Sequence, residues 1–307
     1  MKEKIAIIYG GPSSESSVSS RSAEKVYQAL KTKKYNVIKI ELTQNIVEDL
    51  KRQQIDKVYL ITHGSPGEDG SVQGLLELLK IPYTGSGILA SALTLDKKKT
   101  KEILAYNNLP VLGDMIVSKQ DNIDEKLNNF DLKFPVIIKP NKEGSSVGIY
   151  IAQDKIELKE RITQSIKKYD SIMIEEFIKG TEITVGVLEE NHKFFALPIL
   201  ELVPHNDFYD FESKYTDGMT DFIVPARLSV NLTKKIQKIA ESAFKVVGGR
   251  SCGRVDFIIK NDKFWILEIN SIPGMTSTSD LPQEAKAFGL KFEDLVEKIL
   301  MTADLKG

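Results

Sequence analysis

Apolar positions in the first 95 residues fall into short runs that alternate between strand and helix period. Lys4–Tyr9 is a compact apolar run closed by Gly10-Gly11-Pro12, and the segment after it sets Val18, Val26, Tyr27 and Leu30 on one side of a helix. Tyr35–Leu42 reads as a second strand, Ile46–Arg52 as a helix, Lys57–Thr62 as a third strand and Val72–Leu79 as a helix, before the turn Pro82-Tyr83-Thr84-Gly85. Strands and helices alternating at short spacing predict a parallel sheet covered on both faces.

The pattern then changes. A basic helix over Asp96–Asn107 ends at Asn108 and Pro110, and strands over Val111–Ser118, Pro135–Lys139, Gly148–Ala152 and Ile172–Glu176 surround a helix near Glu157–Lys168. From Glu182 onward the strands read as antiparallel: Glu182–Leu188, Phe194–Leu202, Gly253–Ile259 and Phe264–Glu268, the last two joined by a tight turn at Asn261-Asp262. His205 to Pro225 is polar, carries aromatics and has no period; a loop of that length in a compact domain is usually functional or disordered. The expected architecture is a parallel α/β unit at 1–95 followed by two α+β units at 96–180 and 181–307.

Composition narrows the class without naming a chemistry. Hydrophobic residues are 41% and charged residues 28% of 307, and the net charge of −1 offers no field for nucleic acid or an anionic membrane. Cys252 is the sole cysteine, which excludes an internal disulfide framework. The longest apolar runs are strand-sized, well short of the ~20 residues of a membrane span. With no signal peptide at the N-terminus, the expectation is a soluble cytoplasmic protein.

Three segments carry candidate chemistry. Gly10-Gly11-Pro12-Ser13-Ser14-Glu15 takes a strand into a helix and so places backbone N–H groups at the sheet's carboxyl edge. It lacks G-x-G-x-x-G, and Glu15 alone also reads as a carboxylate stabilising a helix start. Lys139-Pro140 through Gly148 is not a P-loop; a glycine-rich turn between strands serves either as a lid whose amides and Lys139 meet phosphates, or as an exposed hairpin tip. In the third, alternation puts Glu268 and Asn270 on one strand face, with Asp256 across the hairpin. Two carboxylates and an amide oxygen suit magnesium, and Arg254 shares the face of Asp256; the alternative is a charged solvent face. Ser271 to Ser279 is by itself only a loop able to hold a carboxylate.

Together these segments resemble the D-alanine–D-alanine ligase family of the ATP-grasp superfamily, over essentially the whole chain. Gly10–Glu15 looks like its N-terminal signature, His63-Gly64 its His-Gly segment, and Lys139–Gly148 its phosphate lid. Glu175–Ile178 with Gly180 and Glu182 is similar to its adenine and ribose segment; Gly253–Asp256 and Glu268–Thr276 are similar to its C-terminal signature.

The resemblance implies an ATP-grasp fold and an ATP-dependent enzyme that makes D-alanyl-D-alanine, ADP and phosphate through a D-alanyl phosphate, for peptidoglycan precursor synthesis. Lys97, Lys139 and Lys214 would bind phosphates, Glu175, Glu176, Phe177 and Ile178 adenine, and Glu182 the ribose, with Ile149 and Leu267 completing the ATP site. Asp256, Glu268 and Asn270 would hold two magnesium ions, with manganese a substitute. Glu15 and His63 would meet the first D-alanine's ammonium, Arg254 and the Gly274 amide its carboxylate, and Ser279 and Leu281 the second D-alanine. Tyr215, Ser145 and Glu15 would close the site, and Tyr215 favours dipeptide over depsipeptide formation. The family also implies a homodimer. Two positions depart from its pattern: Glu176, where relatives often have lysine, and Asp280, where they often have an apolar residue. Another ATP-grasp carboxylate–amine ligase remains the alternative; a nicotinamide oxidoreductase lacks its fingerprint, and a non-catalytic ATP sensor leaves the charged constellation without a role.

Overall fold

The computed structural model describes residues 3–13, 15–144, 148–205 and 219–306, and assigns them to three sheets with their covering helices. In the first, β1 (Lys4–Tyr9) lies between β2 (Asn36–Glu41) and β3 (Lys57–Leu60), parallel to both. Being central, β1 is covered on both faces, which is why Ile5 to Ile8 form an unbroken apolar run at 0–1% exposure. Gly10 and Gly11 leave the strand at φ 74° and 102°, in the left-handed region open to glycine. That turn feeds α1 (Ser16–Thr32), whose Ser19 hydroxyl accepts from Gly10 N–H (2.8 Å) and donates to the Ile61 carbonyl (2.6 Å). Helices α2 (Ile46–Gln53) and α3 (Ser71–Leu79) follow the second and third strands.

The expected basic helix is preceded by a second one. The apolar run Ile88–Leu95 is α4, and Asp96 then caps α5 (Lys97–Tyr106), accepting from Lys99 N–H at 3.1 Å. Apart from serine and threonine α4 has no polar positions, so its sequence carries no helical period.

The second sheet is antiparallel, ordered β4 (Asp114–Ser118), β7 (Ser171–Glu176), β5 (Val136–Pro140), β6 (Tyr150–Ala152). Helices α6 (Ile123–Asn128) and α7 (Lys155–Ser165) join its core through Leu127, Leu158 and Ile162.

The third sheet runs β11 (Thr220–Ile223), β10 (Leu200–Pro204), β8 (Thr181–Glu190), β12 (Cys252–Lys260), β13 (Lys263–Asn270), with β9 (Lys193–Ala196) also on β8. The strand expected over Phe194–Leu202 is two strands, because Pro198 has no N–H to give a ladder. β11 lies inside the segment that showed no period. Ile183, Val185, Val187, Val255 and Phe257 bury one face of this sheet against Ile236, Ala240, Ala243 and Phe244 of α8 (Val230–Val246). The other face carries Glu182, Thr184, Arg254 and Asp256 toward the second sheet. Helices α9 (Asp280–Ala287) and α10 (Phe292–Leu300) return to the first sheet, adding Leu281, Ala285, Leu295, Val296 and Ile299 to its core.

The β12–β13 hairpin turns at Asn261-Asp262, with φ 51° and 60°, the paired positive angles of a two-residue hairpin turn. The turn starts a register of Lys260↔Lys263 that, continued, would set Asp256 opposite Leu267. A one-residue bulge after Phe257↔Ile266 moves Asp256 opposite Glu268 instead. Phe264, Ile266 and Ile269 face the core, while Leu267, Glu268 and Asn270 are half-buried. The bulge thus turns Glu268 and Asn270 away from a core that unbroken alternation from Phe264 would drive them into.

Phe244 holds α8 to this hairpin: a Cβ at Gly253 would stand 2.2 Å from its ring, and one at Gly249 2.5 Å. Phe244→Ala should therefore cost about 3–5 kcal/mol of unfolding free energy, read by urea denaturation. A loss below about 1 kcal/mol would mean that this core relaxes around the cavity.

Candidate active site

Two cavities meet between the sheets. The smaller, about 130 Å³, is walled by Ile137 and Lys139 of the second sheet with Ile149 beside them, by Glu175, Glu176, Phe177 and Ile178, and by Glu182, Leu202, Asp256 and Leu267 of the third sheet. The larger, about 500 Å³, lies toward the first sheet and is lined by Glu15, His63, Glu68, Arg254, Asn270, Gly274, Ser279 and Asp280. Lys97, Glu143, Gly144, Arg254 and Glu268 line both. A ligand with an apolar ring in one and a charged tail toward the other would pass these shared charges.

At the junction, cations stand against the paired carboxylates. Arg254 donates through Nε and Nη2 to the two oxygens of Asp256, both at 2.9 Å, and Asp256 also accepts from Thr184 Oγ1 (2.6 Å) and Asn270 Nδ2 (3.0 Å). Lys97 Nζ lies 3.3 Å from Glu268 Oε2 and donates to the Glu143 carbonyl at 2.6 Å, tying α5 to the turn after β5. Arg254 Nη1 lies 2.9 Å from Asp280 Oδ2.

Deeper in, Glu175 is 1% exposed and bonded to both Lys139 and Lys101. Burial works against both partners' charges, yet attraction outweighs it, holding Lys139 above its ordinary value and Glu175 below its own. The Glu175 carboxylate is thus engaged by two ammonium groups and fixes Lys139 at the cavity wall. Lys101, Thr184 and Glu68 have no part in the expected site; no local spacing ties them to it, because each arrives from a different element.

In the larger cavity Gly144 meets the N-terminal turn: a Cβ there would stand 2.7 Å from Glu15 Oε2. His63 is 8% exposed, its Nε2 has no hydrogen-bond partner among the described residues, and burial lowers its pKa. Glu68 is half-buried and accepts from Gly64 N–H at 2.7 Å; burial, then the Glu15 charge, pushes it up to about 8. Gly274 sits where a Cβ would approach Ser279 Oγ to 2.7 Å, and Ser279 Oγ accepts from Thr276 N–H at 3.0 Å. Leu281 is fully buried in the first core and does not line the cavity. Ser145, Lys214 and Tyr215 lie outside the described residues.

A cleft between two sheets, with Lys97 and Lys139 facing Asp256 and Glu268 across it, fits the ATP-grasp ligase class. Residues 4–50 and 44–86 match the family described as "D-ala D-ala ligase N-terminus", and residues 102–301 its C-terminus. The D-alanine–D-alanine ligase of Carboxydothermus hydrogenoformans is 44% identical over 304 residues, covering 97% of each chain. The crystal structure of the Bacillus anthracis D-alanine–D-alanine ligase complexed with ATP is similar at TM-score 0.84 and 33% identity, over 98% of this chain and 97% of that one. The VanG D-Ala:D-Ser ligase from Enterococcus faecalis is similar at TM-score 0.85 and 28% identity, over 98% and 99%. This chain belongs to the D-alanine–D-alanine ligase family.

The folded protein keeps the Glu68 proton to about pH 8, while the unfolded chain releases it near 4.5. Between those values the folded state binds more protons, so this group lowers stability as pH rises. Glu68→Gln removes that contribution. In thermal melts without ligands, the variant's Tm should gain on the parent's as pH climbs through this window. A difference independent of pH would contradict the placement of Glu68.

Proposed function

We propose that this chain joins two D-alanines with ATP, forming D-alanyl-D-alanine, ADP and phosphate. The observation that carries this reading is the meeting of the two cavities at Lys97, Arg254 and Glu268, which would let a phosphate tail lie beside a carboxylate-binding space. ATP lies in the smaller cavity, its base among Phe177, Ile178 and Leu267, its ribose at Glu182 and its phosphates at Lys97 and Lys139. Lys214 would add to the phosphate site. The first D-alanine sits with its ammonium at Glu15 beside His63 and its carboxylate at Arg254.

Transfer of the γ-phosphoryl group to that carboxylate gives an acyl phosphate, a step that depends on position and charge neutralisation rather than on a nucleophilic side chain. Buried Cys252, its thiol pushed up to about 12 by burial, is not needed for it. The second D-alanine's amine attacks the acyl carbon, and Arg254 with the Gly274 N–H stabilises the oxyanion before phosphate leaves. Ser279 bounds the second amino acid. Closure by 142–147 with 205–225 would keep water from the acyl phosphate.

Asp256, Glu268 and Asn270 carry hard oxygens of the kind magnesium takes, and Arg254 and Lys97 standing against the carboxylates support a spot that takes positive charge. These residues would hold two magnesium ions, or manganese, to neutralise phosphate charge. Leu78, Ile88 and Leu89, 85%, 41% and 71% exposed on α3 and α4, support a homodimer that covers them. Division into units 1–95, 96–180 and 181–307 is also proposed, with α9 and α10 serving the first core. No helix among the described residues is long and apolar enough to cross a membrane, and a cytoplasmic site of action follows from the family. The likeness to a D-Ala:D-Ser ligase makes D-serine the acceptor to compare.

Purified protein given ATP, magnesium and D-alanine should release phosphate and D-alanyl-D-alanine in equal amounts, with D-serine, D-lactate and L-alanine run in parallel. Turnover only with another acceptor would overturn the substrate and keep the ligase class. In the same assay Arg254→Met should lower kcat by roughly 10²–10³, the usual cost of removing an oxyanion donor.

A further inference from the structure

The geometry points to Asp280 as a positioning residue that keeps Arg254 aimed into the cavity when Asp256 is given up to a cation. Arg254 is shared between two carboxylates: Nε and Nη2 engage Asp256, and Nη1 lies 2.9 Å from Asp280 Oδ2. All three side chains are largely shielded, at 17%, 14% and 10% exposure, so these pairs lie well out of solvent. A carboxylate in the first turn of a helix is ordinary and needs only the helix dipole. Asp280 differs in being 7% exposed and turned onto a guanidinium rather than out to water.

Its placement is built in from two sides. Arg254 on β12 pairs across the sheet with Gly186 on β8, and α9 rests on that glycine. A Cβ at Gly186 would stand 2.5 Å from Glu284 Oε2 and 2.6 Å from Leu281 Cδ1; Glu284 Oε1 accepts from the Gly186 N–H at 2.9 Å. The bare glycine therefore lets the helix lie next to Arg254, with Asp280 at its first position. On the other side Ser279 makes no side-chain cap for α9; its hydroxyl accepts from Thr276 N–H at 3.0 Å and closes the Gly274–Ser279 loop on itself.

The division of labour follows from charge. A divalent cation taking oxygens of Asp256 displaces the guanidinium. With Asp280 the guanidinium keeps a charged partner when Asp256 is given up, and stays over the substrate carboxylate. The residue thus contributes to cation affinity and to kcat through Arg254, and touches no reacting atom. The kinetic part of this inference rests on the ligase reading above, whereas the binding part does not.

The test is a cycle of Asp280→Asn in the parent and in an Arg254→Met background, with Mn²⁺ binding in the presence of ATP measured by electron paramagnetic resonance. In the parent background Asp280→Asn should weaken Mn²⁺ binding roughly 3–10-fold, and in the Arg254→Met background by less than about twofold. Equal losses in both backgrounds would mean only a lost negative charge near the cation, and no loss in either would mean no coupling; both overturn the proposal. In turnover, Asp280→Asn should lower kcat roughly 10–100-fold with KM for ATP within about twofold, and Asp280→Glu should restore part of it. A kcat within about threefold of the parent would also overturn it. Should Asp280→Asn not fold, Asp280→Ser, another good helix-start residue, takes its place in the cycle. A parent protein that binds Mn²⁺ and ATP yet lacks turnover would count against the ligase reading alone.

Discussion

Two carboxylates held side by side between packed sheets repel each other, and burial strips away the water that would screen them. Asp256 and Glu268 are register partners on adjacent strands, so the fold holds them there only if positive charge stands against them. Arg254 and Lys97 supply it in the protein alone, one from the same strand two residues away and one from the start of α5. Each is also tied elsewhere, Arg254 to Asp280 and Lys97 to the Glu143 carbonyl. The cleft therefore has positive side chains that already face the place where anionic substrates would gather, held by the carboxylates that would receive a metal.

The same logic recurs one layer deeper. Lys139 would be costly to bury alone, and Glu175 between Lys139 and Lys101 makes its burial tolerable while fixing where its ammonium points. The opposed faces thus divide the work: the second sheet presents buried Lys139, with Lys97 and Lys101 of α5 beside it, and the third presents Asp256 and Glu268, set opposite each other by a bulge. Apolar packing through Phe244 and the buried faces of β8 and β12 keeps those faces in register. At the far end, α9 and α10 complete the core of the first sheet, which brings the Gly274–Ser279 loop to the mouth containing Glu15 and His63.

Much of this was legible along the chain for a physical reason: β1 is central and therefore uniformly apolar, and Arg254 and Asp256 alternate cleanly with Val255 and Phe257. Asn261-Asp262 marks the hairpin turn by its chemistry. What could not be read depends on partners distant in sequence or on missing contrast. Trp265-Ile266-Leu267 is apolar throughout and so hides the bulge, although the bulge decides that Glu268 rather than Leu267 faces Asp256. Helix α4 lacks a polar face, and no helix is assigned from the sequence at α8, α9 or α10, although α8 buries a helical stripe of Ile236, Ala240 and Ala243. Asp280 shows as a departure from the family pattern, but its partner Arg254 becomes visible only once α9 is seen against Gly186. Glu68 and Thr184 reach the site by long-range packing, which no local spacing encodes.

The most direct test of the central claim, that the bulge-set pair Asp256 and Glu268 is a cation site whose place Arg254 and Lys97 hold in the protein alone, is a crystal structure with manganese and a non-hydrolysable ATP analogue, read by anomalous scattering. The account predicts manganese density in contact with Asp256, Glu268 and Asn270, with the Arg254 guanidinium off Asp256. Manganese bound elsewhere, with the bidentate Arg254–Asp256 pair intact beside the nucleotide, would contradict it.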